Sequence, residues 1–398
     1  MQKIKILYDA HILRDGLVHH NERRGIYWVA YNLLKCFAKD DNYEITLFLN
    51  SNIRNDALKK DEFLNGFNLI FRNFQLGAAG NKRSFPNPKF HLSQYDCYFN
   101  VDYRTGLEDY SHLPKFYILH DAIPVLLDVY NQECKNNFFK FYSALPEDVN
   151  YFCVSENTKK DFIVSFKNMN PENMDVTYIS TAQTFYPACN FDNLSKVLNK
   201  FNIKADRNRK YLFNFCGLSD KRKNLVHTVK GFLNFIEKNN INDLYFYLGG
   251  CGQEILKARL KNELGNVYEK NKDKIVTLGY IEDSDINTLL SNSLFFVCLS
   301  LYEGFGMPNL EAMQAGVPII SSNTSSIPEV LGDCGILINP ESDEEYINAL
   351  YKMYYDEDFR NLCCQKGLER AKIFNWENTY NMISKKIISV LIGEGHNV

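Results

Sequence analysis

The 398-residue sequence contains no run of the roughly 18 uncharged apolar residues that a membrane-spanning helix needs. It also has no C-x-x-C pair. Its 11 cysteines are odd in number and scattered, and the adjacent Cys363 and Cys364 cannot comfortably bridge, so a disulfide framework is excluded in favour of reduced thiols. Excess charge is nearly absent: 45 basic and 48 acidic side chains leave a formal net charge of -3, which argues against a nucleic-acid partner held by phosphate contacts. The first five residues lead into a strand pattern and lack the charged-then-apolar profile of a secretory signal; a cytoplasmic protein is expected. The segment 245–252, YFYLGGCG, ends a strand in glycines without G-x-G-x-x-G spacing, so it reads as a turn and not as a dinucleotide site. What is present is apolar material, 45% hydrophobic and 14% aromatic, enough for two cores at the usual domain size.

One stretch, 294–340, organises the rest. The run 294–299 is short, aromatic and bounded by Asn292 and Ser300, as a strand buried on both faces of a parallel sheet would be. The loop Tyr302-Glu303-Gly304-Phe305-Gly306-Met307-Pro308 follows. Its glycines free the backbone for close approach to a ligand, and Pro308 suits a first helical turn. Residues 309–314 read as helix, ended by Gly316 and Pro318, and 317–321 as a second buried strand. In such a unit ligands sit beyond the strand ends, and an anionic group is expected at the helix N-terminus. Glu303 and Glu311 are eight positions apart, roughly 12 Å if the intervening chain is helical. Two such acceptors are suited to gripping hydroxyls on two parts of an extended ligand. As alternatives, Glu311 is a solvated helix residue and Glu303 an acid drawn to the helix dipole.

The run Ser300-Leu301-Tyr302-Glu303-Gly304-Phe305-Gly306-Met307-Pro308, with Glu311-Ala312-Met313, Gly316-Val317-Pro318 and Ser325-Ser326-Ile327-Pro328-Glu329-Val330, closely resembles retaining glycosyltransferases of family four. That resemblance implies the α/β GT-B architecture, two Rossmann-like doubly wound domains facing each other across a cleft. In the E-x7-E motif of that family the first glutamate contacts the transferred sugar and the second the ribose, roles that pass by resemblance to Glu303 and Glu311. Gly304, Phe305, Gly306 and Met307 then line the donor site.

Other stretches are placed by their own pattern. Residues 4–9 read as a first strand, followed by a polar loop to Arg24. Gly25 opens a helix whose buried face is Ile26, Val29, Ala30, Leu33, Leu34 and Phe37. By resemblance Gly25 faces the donor diphosphate, although Tyr27 and Trp28 stand where many members have a small residue. Segments 44–49 and 67–71 read as strands, and 77–91 as a mobile loop whose Lys82, Arg83 and Lys89 are available to an anionic acceptor. His120 ends the apolar strand 116–119, where α/β enzymes keep ligands, and its neutral ring can donate to a sugar hydroxyl or to developing charge. His120-Asp121 and Pro124 resemble the H-D-x-x-P pattern of the same family, in which this histidine faces the transferred sugar. Residues 151–158 match its V-S-x-x-T segment and read as structural.

Residues 185–209 turn polar and mark a junction. Beyond it, strand 211–216 leads into Gly217-Leu218-Ser219-Asp220-Lys221-Arg222-Lys223-Asn224. Three consecutive cations there call for an anion, and a diphosphate suits them. Arg222 and Lys223 match the family's phosphate clamp, with Leu218 in place of an arginine found in some members. Tyr280, after strand 275–279, lies by resemblance against the nucleotide base. The D-x-D at 283–285 precedes a helical run and reads as an N-cap and first-turn acids, so no metal is expected.

The resulting expectation is an acceptor-side domain over 1–190, completed by a C-terminal helix at about 377–398, and a donor domain over 205–375. The activity implied is retaining, metal-independent hexosyl transfer from a GDP- or UDP-sugar, GDP-mannose among the candidates, to a glycan or lipid-linked saccharide in surface polysaccharide, O-antigen or capsule assembly. Glu303, His120, Arg222 and Lys223 are the expected catalytic residues. No cofactor beyond the donor is implied, and peripheral contact with the cytoplasmic membrane face is an open element of the reading. A GT-B-like epimerase and a non-catalytic sugar-nucleotide-binding protein are the alternatives.

Overall fold

The computed structural model describes residues 3–19, 25–49, 57–71, 74–76, 82–84, 92–103, 113–181 and 185–393. The chain divides into two compact units, one formed by 1–182 with 374–398 and the other by 183–373. Among the described residues the first unit contains strands β1 (Ile4–Asp9), β2 (Tyr43–Leu49), β3 (Asn68–Phe71), β4 (Phe74–Leu76), β5 (Lys82–Ser84), β6 (Cys97–Asn100), β7 (Lys115–Leu119), β8 (Asn150–Cys153) and β9 (Met174–Val176). Seven of them form one parallel sheet in the order β3-β2-β1-β6-β7-β8-β9, and β4 pairs with β5 antiparallel. Chain order reverses between β1 and β6, the switch point of a doubly wound sheet. β6, β7 and β8 are buried along their whole length, because helices cover both faces of a parallel sheet.

Two sequence expectations change in this unit. The segment after β1 is not loop throughout: His11–Val18 is a helix that buries Ile12 and Leu13, while residues 20–24 lie outside the described residues. In the helix Gly25–Phe37 the buried face carries Tyr27 and not Ile26. A Cβ on Gly16 would lie 2.3 Å from the Tyr27 ring, so this glycine gives the aromatic its place and Tyr27 is core. In the 77–91 segment the backbone of 82–84 forms β5, and Lys89 lies outside the described residues. The C-terminal helix Trp376–Gly393 packs in this unit: Ile383, Ile387 and Leu391 are buried at four-residue spacing, Tyr380 meets Phe37 edge to face at 5.2 Å, and Ser384 Oγ bonds Tyr43 OH at 2.6 Å.

The second unit has β10 (Lys210–Phe215), β11 (Leu244–Gly249), β12 (Ile275–Gly279), β13 (Phe295–Cys298), β14 (Ile319–Ser322) and β15 (Ile336–Ile338), parallel in the order β12-β11-β10-β13-β14-β15. Its switch point therefore lies between β10 and β13, whose following loops are the cationic and the glycine-rich segments. The polar stretch 185–209 holds the helix Phe191–Lys200, which buries Leu194, Val197 and Leu198 on one face. The 249–252 segment is a tight turn: Gly250 has φ +125° and its Cα approaches the Cys216 carbonyl so closely that a Cβ would overlap it.

Candidate active site

Three strand ends bring the predicted donor residues to one edge of the second sheet. After β10, Asp220 caps the short turn Lys221–Lys223 by accepting from the Arg222 N–H. After β13 the chain runs through Glu303 to Gly306, which takes φ +87° and leads into the helix Met307–Gln314 without a side-chain cap. Tyr280 follows β12 and is 53% exposed, as a platform for a flat ligand would be.

Glu303 is the centre of the cluster. It is 7% exposed, and its carboxylate accepts from Lys223 Nζ at 2.6 Å and from Arg222 Nη1 at 2.8 Å. Arg222 also reaches the Tyr302 carbonyl and Asp220 at 3.2 Å. Burial works to raise the Glu303 pKa, but Lys223 and Arg222 outweigh it and hold the group down at about 2. Burial likewise opposes the Lys223 ammonium, and Glu303 more than offsets it, so that pKa is raised. The anion required by the cation run is thus supplied in part by the protein itself. Lys221, Arg222 and Lys223 carry three positive charges against two negative ones on Asp220 and Glu303, leaving one in excess.

Glu311 is not the solvated helix residue of the alternative reading. It is 7% exposed and not solvated, and it makes no side-chain hydrogen bond among the described residues. Burial, reinforced by Asp283 and opposed by Lys223, pushes its pKa up to about 8. The helix begins only at Met307, so the helical rise does not measure the distance from Glu303; the two acids share Lys223 as a neighbouring charge. Gly217 stands in open surroundings between β10 and the cation turn, a Cβ there meeting nothing closer than Asp220 at 3.8 Å. At 283–285 the cap position is Glu282, while Asp285 is buried and both of its oxygens accept from Lys200 at 2.8 Å.

The raised Glu311 pKa makes a prediction. Unfolded, the group titrates near 4.5; folded, it keeps its proton to about 8. Its contribution to stability is fully present below about pH 4.5 and is lost as pH rises through about 8. Glu311→Gln stays neutral, so its Tm relative to the wild type should rise by at least about 4 °C between pH 6 and pH 9 in thermal melts. A constant difference would show that Glu311 is ionised in the folded protein at neutral pH.

In the first unit, Gly25 is the first residue of its helix, and His120 follows β7. The His120 ring is half-buried, with Nε2 2.8 Å from the Val101 carbonyl. A carbonyl only accepts, so Nε2 carries the proton and Nδ1 presents a lone pair. Burial lowers the ring pKa, against the Val101 contact and Asp102, which keeps it neutral at pH 7. The remaining ring nitrogen of His120 is therefore an acceptor, the reverse of the donor expected from sequence. Thr158 Oγ1 braces the His120 carbonyl at 3.2 Å, and Ser155 caps the helix Glu156–Ser165. Sequence reasoning missed the Asp9 group at the first switch point, where buried Asp9 accepts from Tyr98 OH at 2.8 Å and lies 3.1 Å from His11 Nδ1. An acid ending β1 was the available signal.

The sequence profile of the family described as "Glycosyl transferases group 1" matches residues 165–370, just over half of the 398. The chain belongs to that family. Within this glycosyltransferase family it is similar to O-antigen chain mannosyltransferase B of Escherichia coli, 42% identical over 101 residues that make up 25% of this chain and 26% of the relative. It is also similar to the O-antigen chain mannosyltransferase RfbU of Salmonella typhimurium, 25% identical over 225 residues, 55% of this chain and 57% of that one. The matches thus span about a quarter and a little over half of the lengths of these relatives. The α/β GT-B fold is shared with a sucrose-phosphate synthase of Thermosynechococcus elongatus at a TM-score of 0.73 and 16% identity, covering 98% of this chain and all of that one.

Proposed function

We propose that this family member is a retaining, metal-independent hexosyltransferase that moves a sugar from a GDP- or UDP-sugar, GDP-mannose foremost, to a glycan or lipid-linked saccharide in O-antigen, capsule or related surface polysaccharide assembly. The observation that carries the reading is the cation turn at the switch point, where Lys221, Arg222 and Lys223 exceed Asp220 and Glu303 by one positive charge. A diphosphate fits that site because it brings more negative charge than Glu303 alone. The names of the O-antigen mannosyltransferase relatives support the choice of donor and polymer. Cytoplasmic residence, with peripheral contact at the membrane face, completes the reading; among the described residues no helix is long and apolar enough to cross a membrane.

In this reading the bond from anomeric carbon to phosphate oxygen breaks while the acceptor hydroxyl bonds the same face of that carbon, and the hydroxyl proton passes to the departing phosphate. Arg222, Lys223 and the helix N-terminus after Gly306 stabilise the charge that the diphosphate gains, which is a transition-state interaction. Glu303 faces the sugar, Glu311 the ribose and Tyr280 the base, while Gly217 and the 304–307 loop make close backbone approaches.

A panel of sugar nucleotides, incubated with and without a saccharide acceptor and scored for nucleoside diphosphate release, tests the proposal. Transfer with slow hydrolysis is expected. Conversion of the donor sugar without acceptor would instead indicate an epimerase, and binding without release a non-catalytic protein. Release should also persist in EDTA, because the cation turn supplies the charge a metal would bring. Complete loss restored by Mg²⁺ or Mn²⁺ would contradict the metal-independent part.

A further inference from the structure

The hydroxyl groups of residues 321–326 run beside the segment that carries Glu303. Ser321 Oγ donates to the Cys298 carbonyl at 2.8 Å, Ser322 Oγ to Ser300 at 2.6 Å, Thr324 Oγ1 to Leu301 at 3.1 Å and Ser326 Oγ to Glu303 at 2.9 Å. Ser325 has the opposite polarity: its Oγ accepts from the Glu303 N–H at 2.9 Å. Both main-chain polar groups of Glu303 are therefore held by adjacent serines, while the Leu301 N–H donates to the Arg222 carbonyl at 2.8 Å. Ser325 itself has φ +51°, a left-handed conformation that strains a serine and costs a glycine almost nothing. A glycine would satisfy the backbone there, but only a side-chain acceptor satisfies the Glu303 N–H.

We infer that Ser325 is a positioning residue of the transfer reaction, fixing the main chain of Glu303 so that its carboxylate stands at the transferred sugar. This rests on the reading of Glu303 given above. The backbone conformation separates the positioning role from a structural one, since the two simplest substitutions move stability and rate separately. Ser325→Gly relieves the strained φ and removes the acceptor. Ser325→Thr keeps the hydroxyl but puts a β-branched residue where it is least at ease.

The test measures Tm, kcat and donor KM for the wild type, Ser325→Gly, Ser325→Thr and Glu303→Gln, using the sugar nucleotide that the panel selects from UDP-glucose, GDP-mannose and their relatives. Ser325→Gly should hold Tm near the wild-type value, relief of the strained φ offsetting the lost acceptor, lose roughly tenfold in kcat and leave donor KM within about twofold, since small misplacements of a reacting group cost rate. Ser325→Thr should lower Tm and keep kcat within about twofold. Undiminished kcat in Ser325→Gly, or rate and Tm falling together in both variants, would overturn the inference. If Glu303→Gln retains turnover, or the panel selects no donor, the reading of Glu303 fails first and the positioning role falls with it. Loss in Glu303→Gln without loss in Ser325→Gly refutes the positioning role alone.

Discussion

Lys223→Ala should lower kcat by roughly 10²- to 10³-fold, about 3 to 4 kcal/mol of transition-state stabilisation, the size of a lost charge-stabilising donor in a water-poor site. The ammonium lies 2.6 Å from Glu303 with only 13% of its side chain exposed, so it is held in place and little screened. Its raised pKa means that it is charged throughout the neutral range. A second consequence comes from the pairing. Truncation leaves Glu303 with Arg222 as its remaining cationic partner and should destabilise the protein by about 1 to 3 kcal/mol, because one partner of a buried pair is gone. Rates are therefore to be compared well below the melting temperature of the variant. Turnover at the wild-type level in a folded Lys223→Ala protein would remove the clamp from the mechanism.

Much of the fold was legible because parallel strands buried on both faces read as short apolar runs. The helix Gly25–Phe37, strands β7, β10 and β13 and the glycine loop were placed from such patterns together with turn residues. The helix His11–Val18 was hidden by its polar surroundings, and of its four large apolar residues only Ile12 and Leu13 are buried. The site was legible as residue types but not as pairings. Three adjacent cations announce an anion without saying that Glu303, 80 and 81 positions away, supplies part of it. The protonation of Glu311 depends on burial and on Asp283, neither of which is local in sequence. The direction of the His120 hydrogen bond was fixed by the Val101 carbonyl on a neighbouring strand end. The hydroxyls at 321–326 take their roles from main-chain groups of 298–303, which lie 22 or 23 positions away.

The two glutamates should respond differently to the same substitution. In the proposed donor pose Glu303→Gln removes a charge at the anomeric carbon, which gains positive character as the bond breaks, and should lower kcat by roughly 10²-fold. In the same pose Glu311→Gln acts on the ribose, which does not change during reaction. It should weaken binding of donor and free nucleotide alike with little effect on kcat, a uniform-binding loss. The structure adds a sharper expectation for Glu303. Its carboxylate pairs with both Arg222 and Lys223, so a diphosphate bound at the proposed clamp competes with it for those cations. Removing that charge strips a competitor from the clamp while leaving both donors in place.

Calorimetric titration of wild type and Glu303→Gln with bare GDP and UDP reads this exchange directly, without acceptor or turnover. The variant should bind the nucleoside diphosphate of its donor several-fold more tightly than the wild type, by roughly 3- to 10-fold for one competing charge removed from a partly screened site. Weaker binding in Glu303→Gln, or no binding of either nucleotide to the wild type, would contradict the assignment of Arg222 and Lys223 as the diphosphate clamp.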